Sequence, residues 1–164
     1  MLTPSSLAEL TAVAFHPDGH LLAVAHHGTV SMYHATSLAF AASFRLPAPS
    51  PITALAFNEN GIWVAAASGA GVTVFDLRKE GPDAVVATLE EGKAVEGVSW
   101  DYSGQFLGCV GREGVVVWAW LKREKRWEEG VRSAVVGAGV GWGEGGRRLL
   151  VAGGEGLSVL GTKE

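Results

Sequence analysis

A repeat of about 42 residues governs what this chain can fold into. Phe15, Phe57, Trp100 and Trp142 recur at steps of 42, 43 and 42 residues, and Gly19, Gly61, Gly104 and Gly146 follow each of them by four. Tyr33, Phe75, Trp118 and Leu160 stand a further fourteen residues on. Between these markers each unit reads as an apolar alternation, a turn such as Pro17-Asp18-Gly19 or Glu59-Asn60-Gly61, a second apolar run, a Gly-rich turn and a third apolar run. That order is the pattern of consecutive antiparallel strands. A period of about 40 to 45 residues with four strands in each unit is the mark of a propeller blade.

The strands follow from the pattern. In the second unit they span Ile52 to Asn58, Ile62 to Ala67, Val72 to Asp76 and Ala84 to Leu89. The first unit supplies Leu10 to His16, Leu21 to His26, Val30 to His34 and Leu38 to Phe44. The third supplies Val95 to Asp101, Phe106 to Val110, Val115 to Trp120 and about Trp127 to Val131. The fourth offers only three strands, ending at Leu160. The expectation is an all-β chain of four consecutive blades, over about residues 10–47, 52–91, 94–132 and 137–164. Phe15, Phe57, Trp100 and Trp142 should occupy equivalent buried positions, filling the gaps between neighbouring blades.

Composition narrows the function. Charged residues make up 18% against a usual ~25%, and hydrophobic residues 48%, so most of the chain is interior strand. Of 23 glycines, 17 lie at or after Gly92, which makes the later blades tight-turned. A net charge of −4 argues against a broad grip on nucleic acid, whose phosphates need clustered Lys and Arg. The basic run Lys122-Arg123-Glu124-Lys125-Arg126 reads as a solvated loop between strands. One cysteine, Cys109, excludes an internal disulfide and fits a reducing compartment. Met1 to Leu10 has no basic residue and no apolar core, so no secretory signal is expected there. No apolar run reaches the ~18 residues of a membrane span.

Other chemistries find little support. Gly141, Gly143 and Gly146 satisfy GxGxxG, but that pattern binds a dinucleotide only between a strand and a helix, and the repeat places it in a hairpin. The five histidines, at 16, 20, 26, 27 and 34, do not converge as three or four metal ligands would. No Ser, His and acid trio comes with a nucleophile elbow. No cofactor, metal site or catalytic residue is therefore expected.

The repeat endings Tyr33-His34, Phe75-Asp76, Trp118-Ala119 and Leu160-Gly161 depart from the Trp-Asp of WD repeats, and the Gly-His pair before the first strand is missing. Even so, Pro51-Ile52-Thr53-Ala54-Leu55-Ala56-Phe57-Asn58-Glu59-Asn60-Gly61, with Val72-Thr73-Val74-Phe75-Asp76-Leu77-Arg78-Lys79, resembles a late blade of the pre-mRNA-processing factor nineteen family. Phe15-His16-Pro17-Asp18-Gly19 resembles the blade before it, and the third unit, with Trp127, its penultimate blade. The resemblance is generic in the fourth unit, where Gly141-Trp142-Gly143-Glu144-Gly145-Gly146 has drifted.

That family is a nuclear ubiquitin ligase and spliceosome component, also tied to DNA repair. Its chain runs from a U-box through a coiled coil to a seven-bladed propeller that binds partners and substrates. The resemblance implies the last four blades of such a ring, a nuclear protein-binding scaffold without the catalytic U-box. In propellers the loops joining second to third and fourth to first strands form one mouth, and here they carry His26, His27, Ser50, Ser68, Lys93, Arg112 and Glu113, a mixed polar surface suited to protein partners. A second reading is a substrate receptor of a cullin-type ligase, because Phe75-Asp76-Leu77-Arg78 approximates the Trp-Asp-x-Arg box of such receptors.

Two further expectations concern assembly. Four blades shaped for a larger ring leave apolar flanks, so the chain should bind the missing blades or itself rather than stay monomeric. The runner-up is a tightened four-bladed ring. The only candidate to supply a fourth strand to the last blade is Met1 to Glu9, where Pro4 cannot donate to a ladder.

Overall fold

The computed structural model describes residues 9–161, which form four antiparallel sheets in chain order. The first sheet holds β1 (Ala12–Phe15), β2 (Leu21–His26), β3 (Thr29–His34) and β4 (Phe40–Arg45). The second holds β5 (Ile52–Phe57), β6 (Trp63–Ser68), β7 (Gly71–Asp76) and β8 (Val85–Leu89). The third holds β9 (Val95–Trp100), β10 (Phe106–Gly111), β11 (Gly114–Leu121) and β12 (Arg126–Ser133). The fourth has three strands, β13 (Gly139–Gly143), β14 (Arg148–Gly153) and β15 (Gly156–Gly161). Among the described residues the only helical pieces are 3-10 turns at Gly81–Ala84 and Glu144–Gly146. Met1 to Ala8, most of the candidate for a completing strand, lies outside the described residues.

Side chains close the first hairpins of the second and third sheets. The Asn58 carboxamide oxygen accepts the Trp63 N–H at 2.9 Å, and the buried Asp101 carboxylate accepts the N–H groups of Ser103, Gln105 and Phe106 at 2.7–3.0 Å. The turn then needs a left-handed residue, and Gly19, Gly61 and Gly104 supply it at φ 74°, 68° and 67°. At the other end of the repeat, the register between third and fourth strands shifts at Met32/Tyr33, at Val74/Phe75 and between Val116 and Trp118. The marker aromatics Tyr33, Phe75 and Trp118 thus sit at one recurring bulge, a feature that bends a strand and strengthens its twist.

The sheets stack through their innermost strands, β1 on β5, β5 on β9 and β9 on β13. Strand alternation gives each of these two faces of different size. Leu55 and Phe57 of β5 join the core shared with the first sheet, whereas Ala54 and Ala56 join the core shared with the third. Val98 and Trp100 of β9 fill the space over those alanines, and Val140 and Trp142 of β13 pack into the next core, against Gly108 and Ser99. Hydrogen bonds repeat the step: the Trp100 indole donates to the Ala56 carbonyl at 3.0 Å, and the Trp142 indole to the Ser99 carbonyl at 2.9 Å. Trp63, Trp100, Trp120 and Trp127 form one cluster between the second and third sheets, with ring centroids 5.2–6.1 Å apart.

Several expectations need correction. Phe15 is not buried: 65% of it is exposed, because among the described residues no sheet lies beyond the first one to receive it. Trp100 is buried at its equivalent position, and Phe57 and Trp142 are half-buried. Leu38 stands outside β4; its backbone is left-handed (φ 54°) and its N–H closes a turn onto the His34 carbonyl at 2.8 Å. A 3-10 turn led by Pro82 delays β8 to Val85, and β12 runs longer than expected, through Ser133. The tightened four-bladed ring does not form, since Val13 and Phe15 at one end and Leu157 and Val159 at the other are all exposed.

Candidate binding surface

Strand direction alternates through each meander, so the β2–β3, β6–β7, β10–β11 and β14–β15 turns share one end of the molecule with the connections β4–β5, β8–β9 and β12–β13. Six of the seven residues expected at this mouth are at least partly accessible there; Ser68 is not. It is 3% exposed, and its hydroxyl donates to the Gly71 carbonyl at 3.3 Å and accepts the Ala70 N–H at 3.2 Å. That tight turn consumes both of its hydrogen-bonding roles, which a reading of loop position alone overlooks.

The others are displayed to different degrees. His27 is exposed in a left-handed turn (φ 44°), with Nδ1 3.5 Å from a Glu9 carboxylate oxygen, and His26 places Nε2 3.1 Å from the Ser31 hydroxyl. Ser50 is half-buried and wedges between two turns. A side chain at Gly28 would meet its backbone, and one at Gly69 its hydroxyl. Arg112 is exposed and reaches Glu96 at 3.3 Å; Glu113 beside it is exposed.

Lys93 belongs to a constellation that sequence reading missed. Its ammonium lies 3.2 Å from Glu90, a buried carboxylate on the β8–β9 connection. The Arg132 guanidinium of β12 donates to both Glu90 oxygens, at 2.7 and 3.2 Å, and to both Glu129 oxygens at 2.8 Å, while the Trp118 indole of β11 donates to Glu90 at 3.1 Å. Burial by itself would raise the Glu90 pKa, but the hydrogen bonds from Arg132 and Lys93 outweigh it and hold the carboxyl below its ordinary value. Glu129 and Glu90 in turn raise Arg132. Burial pushes the Cys109 thiol strongly up, so it is an inert neutral group on the floor of this small depression. A buried acid bonded on every side is a rivet between the second and third sheets. It holds Lys93 at the rim, beside the exposed Glu113. The signal in the sequence was faint: Glu90 ends an apolar strand, and Arg132 lies 42 residues away.

At the opposite end, Arg78 clamps Asp76 through Nε and Nη2 at 2.9 and 2.7 Å, and these hydrogen bonds lower the Asp76 pKa to about 2. The guanidinium of the Phe75-Asp76-Leu77-Arg78 box is thus engaged within its own turn. His16 Nε2 sits 2.8 Å from the Gly61 carbonyl, and among the described residues no three His, Cys, Asp or Glu side chains gather as metal ligands. Gly141 and Gly143 lie within β13, and Gly146 lies in the turn that leads to β14, a strand and not a helix.

Stacked four-stranded meanders whose loops gather at one mouth are the architecture of the WD-repeat β-propeller, and this is the fold of the chain. The model of the WD domain, G-beta repeat, matches residues 4–34 and 40–76. Among solved structures, a chain of the mitotic checkpoint complex superimposes with a TM-score of 0.78 over 93% of this chain and 47% of its own length, at 18% identity. A chain of Kuenenia stuttgartiensis hydrazine synthase gives 0.74 over 93% and 46%, at 12% identity. These two establish the fold alone. The particular likeness is to pre-mRNA-processing factor 19. The Dictyostelium discoideum protein is 30% identical over 70% of this chain and 23% of its own length, and that of Schizosaccharomyces pombe 30% over 72% and 24%. Pre-mRNA-processing factor 19 homolog 2 of Arabidopsis thaliana is 33% identical over 65% and 19%. The chain therefore resembles the WD-repeat part of these proteins and spans about a quarter of their length or less.

Proposed function

We propose that this chain is a protein-binding scaffold that works, as the likeness to pre-mRNA-processing factor 19 suggests, in a nuclear splicing assembly, recruiting partners or ubiquitination substrates through its loop-bearing mouth. The observation that carries this reading is the riveted rim: Glu90 and Arg132 tie the second and third sheets together and hold Lys93 at the mouth, with Arg112 and Glu113 exposed alongside. Charged groups held in place at a rim select partners at little ordering cost. In the larger relatives, catalysis would belong to other parts of the chain, and the four sheets would be part of a seven-bladed ring. The test is capture from nuclear extract with the double variant Arg112→Glu, Glu113→Arg, whose side chains are exposed and outside the Glu90 ion pair. Splicing proteins retained by the unmodified chain should be lost by the variant while its melting temperature stays unchanged; equal capture would move the site away from the mouth.

A further inference from the structure

The third sheet differs from the two before it at the end of the molecule opposite the mouth. In the first and second sheets the third strand stops level with the second, His34 facing Leu21 and Asp76 facing Trp63. β11 instead runs past Phe106, where β10 begins, and the pairs Trp120–Trp127 and Leu121–Arg126 carry the β11–β12 hairpin beyond the sheet. The projection is anchored at its base, because both indoles pack on Trp63, with ring centroids 5.2 and 6.0 Å away. Its tip is Lys122-Arg123-Glu124-Lys125, closed by the Glu124 N–H on the Leu121 carbonyl at 3.1 Å, and all four side chains are exposed. Glu124 and Glu128 pair with Arg126, which leaves Lys122, Arg123 and Lys125 without a carboxylate partner among the described residues. Lys125 is left-handed at φ 51°, a conformation that the first hairpins of the sheets give to Gly19, Gly61 and Gly104. Glycine is the less strained residue there, so turn formation alone gives no reason for a lysine. The corresponding turn of the first sheet, Ala35-Thr36-Ser37, carries no charge, and in that of the second Arg78 is engaged by Asp76.

We infer that the β11–β12 tip is a docking knob for an acidic protein segment, a second binding surface separate from the mouth. Unpaired cations on an anchored, projecting turn attract such a segment and meet its carboxylates on a backbone that is already ordered. Nucleic acid fits less well. A phosphate backbone needs a broad basic stripe, whereas Glu124, Glu128 and Glu129 stand on the same hairpin as the cations. Single strands also need an exposed aromatic platform, whereas Trp120 and Trp127 turn into the inter-sheet cluster. The mouth does not compete for the same ligand, since Lys93 and Arg112 are each paired with a glutamate.

The test uses the full 164-residue chain and a fluorescein-labelled octaglutamate peptide, followed by fluorescence anisotropy between about 50 and 200 mM salt. Binding is expected, and it should weaken as salt rises. The triple variant Lys122→Glu, Arg123→Glu, Lys125→Glu should lose about tenfold or more in affinity, the sum of three exposed ion pairs, with the far-ultraviolet dichroism of the sheets retained. Lys79→Glu, a charge reversal on the β7–β8 connection at the same end, should change it by less than about twofold. Lys125→Gly separates recognition from turn formation: it should keep or raise the melting temperature while weakening the peptide by about twofold. Absence of peptide binding, a triple variant that binds as well as the unmodified chain, or an equal loss from Lys79→Glu would overturn the proposal. So would a Lys125→Gly chain with a lowered melting temperature and unchanged binding. An oligouridylate probe bound more tightly than octaglutamate at equal salt would also overturn it, and would assign the tip to nucleic acid.

Discussion

Val72 and Val74 of the second sheet and Leu157 and Val159 of the fourth hold the same two places in the repeat, eighty-five residues apart. The first two are completely buried; the second two are 66% and 51% exposed. Local sequence cannot account for this, since both pairs follow a glycine, alternate with Thr73 or Ser158 and pair with a central strand in the same register. The difference is the neighbour. The second sheet has another against each face, while among the described residues the fourth has one on a single side and no outer strand along β15. In a stacked repeat, side-chain burial is a property of the interface and not of the unit.

The comparison is broken most severely at its buried end. Phe75→Ala in the second sheet should cost about 3–5 kcal/mol in urea denaturation, since a fully buried aromatic leaves a cavity among Phe44, Val64 and their neighbours. Leu160→Ala, the equivalent change in the half-buried fourth sheet, should cost less than half as much. Comparable losses would mean that the fourth sheet has a covering not seen here.

Next in size is the rivet. Glu90→Ala strands the Arg132 guanidinium and the Trp118 indole, and should cost about 2–3 kcal/mol by chemical denaturation, less than a fully buried pair because Arg132 is partly accessible. The same variant should loosen Lys93 and reduce partner capture, which separates the rivet from a purely internal tie.

A smaller effect concerns acid. The Asp76 carboxyl is held down to about 2 by Arg78, below its ordinary value of 3.8, so its contribution is fully present above about pH 4 and disappears as pH falls toward 2. Asp76→Asn should remove that part of the acid dependence from thermal melts recorded between pH 4 and 2. An unchanged profile would show that the clamp adds nothing to the second sheet. The smallest effect belongs to the bare face: Val159→Ala should change stability by less than about 0.5 kcal/mol in dilute monomer, because the side chain has no inter-sheet partner to lose.

Much of this was legible beforehand. The 42-residue period, the hairpin turns and the alternation placed four meanders in order, because strand formation and turn geometry are decided within a few residues and the repeat states them four times. Loop position likewise brought His26, His27, Lys93, Arg112 and Glu113 to one mouth. Ser68 went astray because a hydroxyl near a tight turn can face water or bond its own backbone, and the sequence is the same in both cases.

What only the tertiary structure decided is whatever depends on the distance between groups far apart in the chain. Phe15 and Trp100 are equivalent in sequence, yet one faces solvent and the other a neighbouring sheet. Glu90 meets Arg132 across 42 residues, a pairing that neither residue's local pattern announces. Periodicity fixes hydrogen bonds within a sheet, since these run between adjacent strands. Burial and ion pairing are set by which sheet stands against which, and that is determined by packing in space.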